Sequence, residues 1–108
     1  MQGFKEIAPA ELQEMQSGGN LRLIDVRSDA EVARGMIHGA LHIPLHLLPP
    51  KAGEWDSATP MVFYCQSGTR SAQACTFFTS KGFSNLYHLQ GGVNAWVKSG
   101  LPLTGAAT

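Results

Sequence analysis

Apolar residues in this chain come in short blocks closed by glycine, proline or charge, and the blocks follow two different patterns. After Pro60, Met61-Val62-Phe63-Tyr64 is a continuous apolar run with a β-branched residue and two aromatics, which predicts a buried strand. Residues 21–27 (Leu-Arg-Leu-Ile-Asp-Val-Arg) predict a second strand, residues 85–89 a last one, and residues 4–7 suit a first edge strand. The other pattern is helical. Residues 8–15 place Pro9 in a first turn, and Leu12 and Met15 give that helix an apolar side before Ser17-Gly18-Gly19-Asn20 ends it. Residues 28–35 predict a short helix with Ser28 or Asp29 as N-cap and Glu31 in the first turn. Residues 71–81 form a longer one that stops at Gly82, and residues 93–98 a short amphipathic one ended by Gly100, with Trp96 in the core. Between these, residues 36–44 read as a loop entering a very short strand, and residues 45–48 as a turn of helix. Residues 51–59 form a surface connection anchored by Trp55, and the tail from Pro102 to Thr108 is expected to fray.

Strand and helix thus alternate about four or five times, which implies an α/β fold with a mostly parallel sheet covered by helices on both faces. In open sheets of this kind ligands bind beyond the carboxyl ends of the strands. Cys65, Asp25, Arg27 and Gly91-Gly92 all fall at that rim. At 108 residues the chain makes one domain, with a core spanning about residues 4–102. Eight basic residues balance eight acidic ones, so nothing points to nucleic acid or an anionic membrane, and attraction for an anion must be local. No segment resembles a signal peptide or reaches membrane-spanning length, so a cytoplasmic protein is expected, with a monomer as the default.

The candidate chemistry centres on Cys65-Gln66-Ser67-Gly68-Thr69-Arg70-Ser71. This segment sets a cysteine between a strand's carboxyl end and a helix's amino end, where free N–H groups and the helix dipole favour an anion. Taken alone, the same pattern also fits a buried structural cysteine before an ordinary turn. The second cysteine, Cys75, falls inside the helix and reads as a core residue, so both thiols are expected free. Asp25 and Arg27 are either a solvated pair opening a loop or a structural ion pair bracing a neighbouring one. His38, His42 and His46 recur every four residues, but Gly39 and Pro44 interrupt the helix that spacing would need, so no metal site is assigned.

Four motifs in order resemble the rhodanese family, specifically its small single-domain members. Leu23-Ile24-Asp25-Val26-Arg27 is similar to that family's strand ending in Asp-x-Arg. Gly35-Met36-Ile37-His38-Gly39-Ala40-Leu41-His42-Ile43-Pro44 resembles its Gly-His-Ile-x-Gly-Ala-x-Asn-Ile-Pro segment, with Met36 and His42 as departures outside the catalytic loop. The stretch from Cys65 to Ser71 is similar to Cys-x-x-Gly-x-Arg-Ser, and Gly91-Gly92-Val93-Asn94-Ala95-Trp96 to the terminal Gly-Gly-x-x-x-Trp helix start. The resemblance implies a five-stranded parallel sheet and a sulfurtransferase working through a Cys65 persulfide, with no cofactor. It implies a small anionic donor such as thiosulfate, and cyanide, a thiol or a protein thiol as acceptor.

On that reading Gln66, Ser67, Gly68, Thr69, Arg70 and Ser71 bind the substrate and its persulfide product, through inward amides and the hydroxyls of Ser67, Thr69 and Ser71. Gly68 supplies the positive φ that curls the loop, and no histidine need act as base. Asp25, Arg27 and Glu31 brace the loop. Arg70 either binds the donor or braces against Glu31 or Asp25; bracing is favoured because those carboxylates otherwise lack a partner. A phosphatase or arsenate reductase would use a Cys-x5-Arg loop, whereas only four residues separate Cys65 from Arg70. A persulfide carrier serving a partner protein is the other alternative. A cysteine-less binding module is disfavoured by Cys65, and a mercaptopyruvate-type loop by Gln66 and Arg70.

Overall fold

The structure, a computed structural model, describes residues 3–104. Five strands form one parallel sheet in the order β1-β5-β4-β2-β3: β1 Lys5–Ile7, β2 Arg22–Asp25, β3 Leu41–His42, β4 Met61–Tyr64 and β5 Leu86–Leu89. The apolar run after Pro60 becomes the central strand, with all four of its residues buried, as a strand covered on both faces requires. Alternate residues go to opposite faces. Ile24, Val26, Met61, Phe63 and Cys65 join one core cluster, while Leu23, Val62 and Tyr64 join the other.

Helix α3 (Thr69–Ser80) covers the first face with Ala74, Cys75 and Phe78. Helices α1 (Pro9–Gly18) and α4 (Gly92–Lys98) cover the second with Leu12, Val93 and Trp96. The short α2 (Asp29–Val32) follows β2 and carries the expected Ser28 cap, whose hydroxyl accepts from the Glu31 N–H at 3.3 Å. Phe78 stacks with Phe63 at 5.3 Å and with Trp55 at 5.8 Å, so Trp55 does anchor the connection before β4. Cys75 is free and buried on the inner side of α3, where burial alone pushes its thiol up to about 12.

Three expectations change. Helix α3 begins at Thr69 instead of Ser71, because Gly68 turns the chain at φ +117° and helical geometry starts directly after it. Strand β2 ends at Asp25, so Arg27 lies beyond the ladder. The tail is tied down as far as Thr104: Trp96 Nε1–H donates to the Pro102 carbonyl at 2.9 Å, and Met36 and Thr104 exchange backbone bonds of 2.8 and 2.7 Å. The rest of that predicted frayed segment, residues 105–108, lies outside the described residues. Among the described residues no helix is long and apolar enough to cross a membrane.

Candidate active site

Cys65 leaves the carboxyl end of the central strand with its side chain toward α3, and its carbonyl is captured from the opposite side. The Val93 N–H donates to the Cys65 carbonyl at 2.9 Å and the Asn94 N–H to the Gln66 carbonyl at 3.1 Å. These two bonds use orphan donors at the start of α4 to hold the loop's carbonyls outward. The chain passes so close there that a Cβ on Gly92 would lie 2.7 Å from the Gln66 carbonyl oxygen and nearer still to that of Cys65. Gly92 also sits at φ +59°, where a side chain is strained.

With the carbonyls held back, the amides turn toward sulfur. The Gly68 N–H donates to Cys65 Sγ at 3.0 Å and the Ser71 N–H at 3.4 Å, with Ser71 Oγ 3.7 Å away. The N–H groups of Thr69 and Arg70, in the first turn of α3, have no intrahelical acceptor. Gln66 is expected to serve the substrate through its backbone N–H, and its side chain is held elsewhere. Its amide nitrogen donates to Asn94 Oδ1 at 2.7 Å and its oxygen accepts from Arg27 at 3.3 Å, which leaves only its backbone for a ligand. Ser71 is buried, with Oγ donating to the Gly68 carbonyl at 3.0 Å and lying 3.2 Å from His88 Nδ1. Ser67 and Thr69 stand exposed at the rim.

Two ion pairs flank the loop. Asp25 and Arg27 are a buried pair, closed by bonds of 3.0 Å from Nε and 2.7 Å from a terminal nitrogen. The remaining guanidinium protons reach the Gly35 carbonyl at 2.7 Å and Gln66, so Arg27 ties the segment after α2 to the cysteine loop. The Tyr64 hydroxyl accepts from the Ile37 N–H at 3.0 Å on the same side, and burial pushes that phenol up. His42 Nε2 lies 2.7 Å from the Arg27 carbonyl, in β3, away from any helix shared with His38 or His46.

Arg70 grips Glu31 with two parallel bonds of 2.7 Å. Of the two carboxylates the sequence offered, Glu31 is its partner; Asp25 is taken by Arg27. The bond from Arg70, assisted by the Ser28 N–H and hydroxyl, holds the Glu31 carboxyl down to about 2. Because the folded value lies below the ordinary 4.5, the pair's contribution is complete above that pH and disappears as pH falls toward 2. The difference in urea midpoint between the native chain and Glu31→Gln should therefore be present at pH 7 and close progressively below about pH 4. Both partners are about one-third exposed, so the difference at pH 7 will be modest, on the order of 1 kcal/mol. A midpoint difference that persists unchanged into acid would remove Glu31 ionisation as its source.

The family model of the rhodanese-like domain matches residues 8–99. The chain belongs to the rhodanese family. A sulfurtransferase of Allochromatium vinosum is 40% identical over 91 residues, covering 84% of this chain and 85% of the relative. A thiosulfate sulfurtransferase of Ectopseudomonas mendocina is 33% identical over 96 residues, covering 89% and 87%. Among solved structures, a rhodanese-related protein of Thermoplasma volcanium superposes with a TM-score of 0.83 at 28% identity, over 94% of this chain and 98% of that one. The cysteine loop, the two ion pairs and the Gly91-Gly92 helix start are gathered here at the carboxyl ends of the strands. Motif reading had located each piece but not Asn94, the Gly92 contact or the approach of His88 to Ser71. A polar residue inside an apolar strand, as His88 is in Leu-Tyr-His-Leu, was the available signal for the last.

Proposed function

We propose that this rhodanese is a sulfurtransferase in which Cys65 carries the sulfur as a persulfide, with thiosulfate or a similar small anion as donor. One observation supports this most directly: Cys65 Sγ receives two backbone N–H groups, from Gly68 and Ser71, at the start of α3. Such donors favour a sulfur anion over a neutral thiol. The Cys65 thiolate attacks the outer sulfur of thiosulfate, the bond between the two donor sulfurs breaks, and sulfite departs with its electron pair. The enzyme is left as a Cys65 persulfide whose outer sulfur is anionic. A nucleophilic acceptor, cyanide in an assay or a thiol in the cell, then takes that sulfur and returns the thiolate.

Around the outer sulfur, the remaining first-turn amides, with the hydroxyls of Ser67 and Thr69, would stabilise the charge. Cys65 itself is only 1% exposed, which favours a donor that presents a single terminal atom. The engagement of Arg70 with Glu31 disfavours an oxyanion-clamping phosphatase, which needs that guanidinium in the pocket. The scheme uses no metal or added cofactor, suits a reducing cytoplasm, and takes a thiol or protein thiol as its cellular acceptor.

Intact mass measurement after thiosulfate treatment tests it. The native chain should gain the mass of one sulfur atom, mapped to the Cys65 peptide, and lose it on adding cyanide. Cys65→Ser should gain nothing. An unmodified native chain that instead hydrolyses an aryl phosphate would sink the proposal.

A further inference from the structure

Behind the cysteine loop, a chain of polar groups that the sulfur-transfer scheme leaves unused runs along the α3 face of the sheet. From Cys65 Sγ it passes to Ser71 Oγ at 3.7 Å, then to His88 Nδ1 at 3.2 Å. From the far side of the ring, His88 Nε2 lies 3.4 Å from the Glu6 carboxylate. Register explains the meeting: Glu6 on β1 is the direct neighbour of His88 on β5, so both side chains leave the same sheet face. The histidine is buried, with the edge of Phe4 against its ring at 5.6 Å, while Glu6 is half exposed. An uncommitted imidazole has no evident reason to be buried here. An apolar residue would pack at least as well between β1 and α3.

Counting hydrogens makes the chain directional. A carboxylate only accepts, so Nε2 facing Glu6 carries the proton in the neutral ring and Nδ1 is left as an acceptor. The single Ser71 hydroxyl hydrogen then has two takers, the Gly68 carbonyl and His88 Nδ1. When it points to Nδ1, an oxygen lone pair faces Cys65 and the thiol S–H donates to it. When Nδ1 is protonated it donates to Ser71 Oγ instead, and the hydroxyl hydrogen is free to turn onto sulfur.

We propose that His88, oriented by Glu6, is a positioning residue that accepts the Cys65 thiol proton through Ser71. The S–H bond breaks as its proton joins Ser71 Oγ, while the original hydroxyl proton passes to His88 Nδ1. No electrons change hands, and the product is a thiolate facing a hydroxyl donor, balanced by an imidazolium against Glu6. The backbone amides at Gly68 and Ser71 hold the anion, and the relay gives its proton a destination. Burial lowers the basicity of His88 and the Glu6 charge offsets this only in part, so the resting ring is neutral near pH 7 and its Nδ1 keeps a free lone pair. Cys65 lies beyond Ser71 in this chain of contacts, and Cys75 on α3, whose thiol is held neutral by burial, donates to the Tyr87 carbonyl at 3.4 Å. Phe63 on β4, the register neighbour of His88, brings no charge.

The inference deepens the sulfur-transfer reading, and its test does not depend on sulfur transfer. Alkylation of Cys65 by iodoacetamide, followed by peptide mass mapping across pH, reads thiolate formation directly. Two coupled groups give two inflections. The native chain should show both, and His88→Asn, which keeps an acceptor near the Nδ1 position but cannot titrate, should show one. Its alkylation rate near pH 7 should fall about tenfold, because no imidazolium can form there to balance the thiolate. Glu6→Gln, at a half-exposed position that tolerates change, should keep both inflections and move the lower one to more acid pH. Coupling is reciprocal, so blocking Cys65 should lower the midpoint of the His88 ring signals in an NMR titration. Native and His88→Asn profiles that superimpose, with a His88 midpoint indifferent to Cys65, would overturn the relay. A failure to take sulfur from thiosulfate would leave these profiles intact and count only against the sulfurtransferase reading.

Discussion

Gly92→Ala is expected to lower the melting temperature by roughly 10 °C or more and to abolish sulfur loading of Cys65. The left-handed conformation at Gly92 costs an alanine about 1–2 kcal/mol. The added methyl must also displace the carbonyls of Cys65 and Gln66, at about 1–3 kcal/mol for overpacking against a well-packed backbone. Together these reach about 2–5 kcal/mol, and each kcal/mol moves the midpoint of a domain this size by roughly 4–8 °C. The functional loss comes from the same displacement. If the Cys65 carbonyl is pushed off the Val93 amide, the peptide planes that turn Gly68 and Ser71 toward sulfur lose their fixed tilt. Thermal melting by circular dichroism and thiosulfate loading by mass, on one preparation, check both parts. A variant melting within about 2 °C of the native chain would show that the loop yields to the methyl.

Asp25→Ala is the second large effect, expected to destabilise by about 3–5 kcal/mol because it strands a buried guanidinium. Arg27 would keep the Gly35 carbonyl and Gln66 as partners, but no counter-charge within the buried pair. Pairing the change with a second one distinguishes charge from packing. If the penalty is the uncompensated charge, Asp25→Leu with Arg27→Met should recover much of the stability in urea titration while leaving the slope unchanged. Recovery of folding need not bring recovery of sulfur loading, since the methionine cannot hold Gln66. A single variant as stable as the native chain would mean that Arg27 finds water at that position.

The parts of this structure that were legible in the sequence are those written by local pattern. The apolar run at Met61–Tyr64, the Gly82 stop and the Ser28 cap each depend on neighbours a few residues away, and each lies where expected. The choice of Glu31 over Asp25 by Arg70 could not be read, because both lie on one strand–helix turn and only the fold separates them. What the Gln66 side chain does was not legible either. Its capture needs Arg27 and Asn94 at once, from opposite ends of the chain. The bridge between Met36 and Thr104 is longer-ranged still, and it holds a segment whose composition alone suggested fraying. His88 was visible as a residue but not as a neighbour, since its partners follow from the β1–β5 register and the exact depth of Ser71 in α3.

The docking of α4 against the cysteine loop also has a consequence in time. Ribosomes deliver Cys65 well before Gly92, Val93 and Asn94, and the sheet neighbour β5 also follows it in the chain. Until that last segment emerges and docks, no amides hold the Cys65 and Gln66 carbonyls back, and the groups that would sharpen the thiol's reactivity are not assembled. A growing polypeptide therefore carries Cys65 without its fixed amide partners, and the site is assembled only after α4 has followed it out and docked.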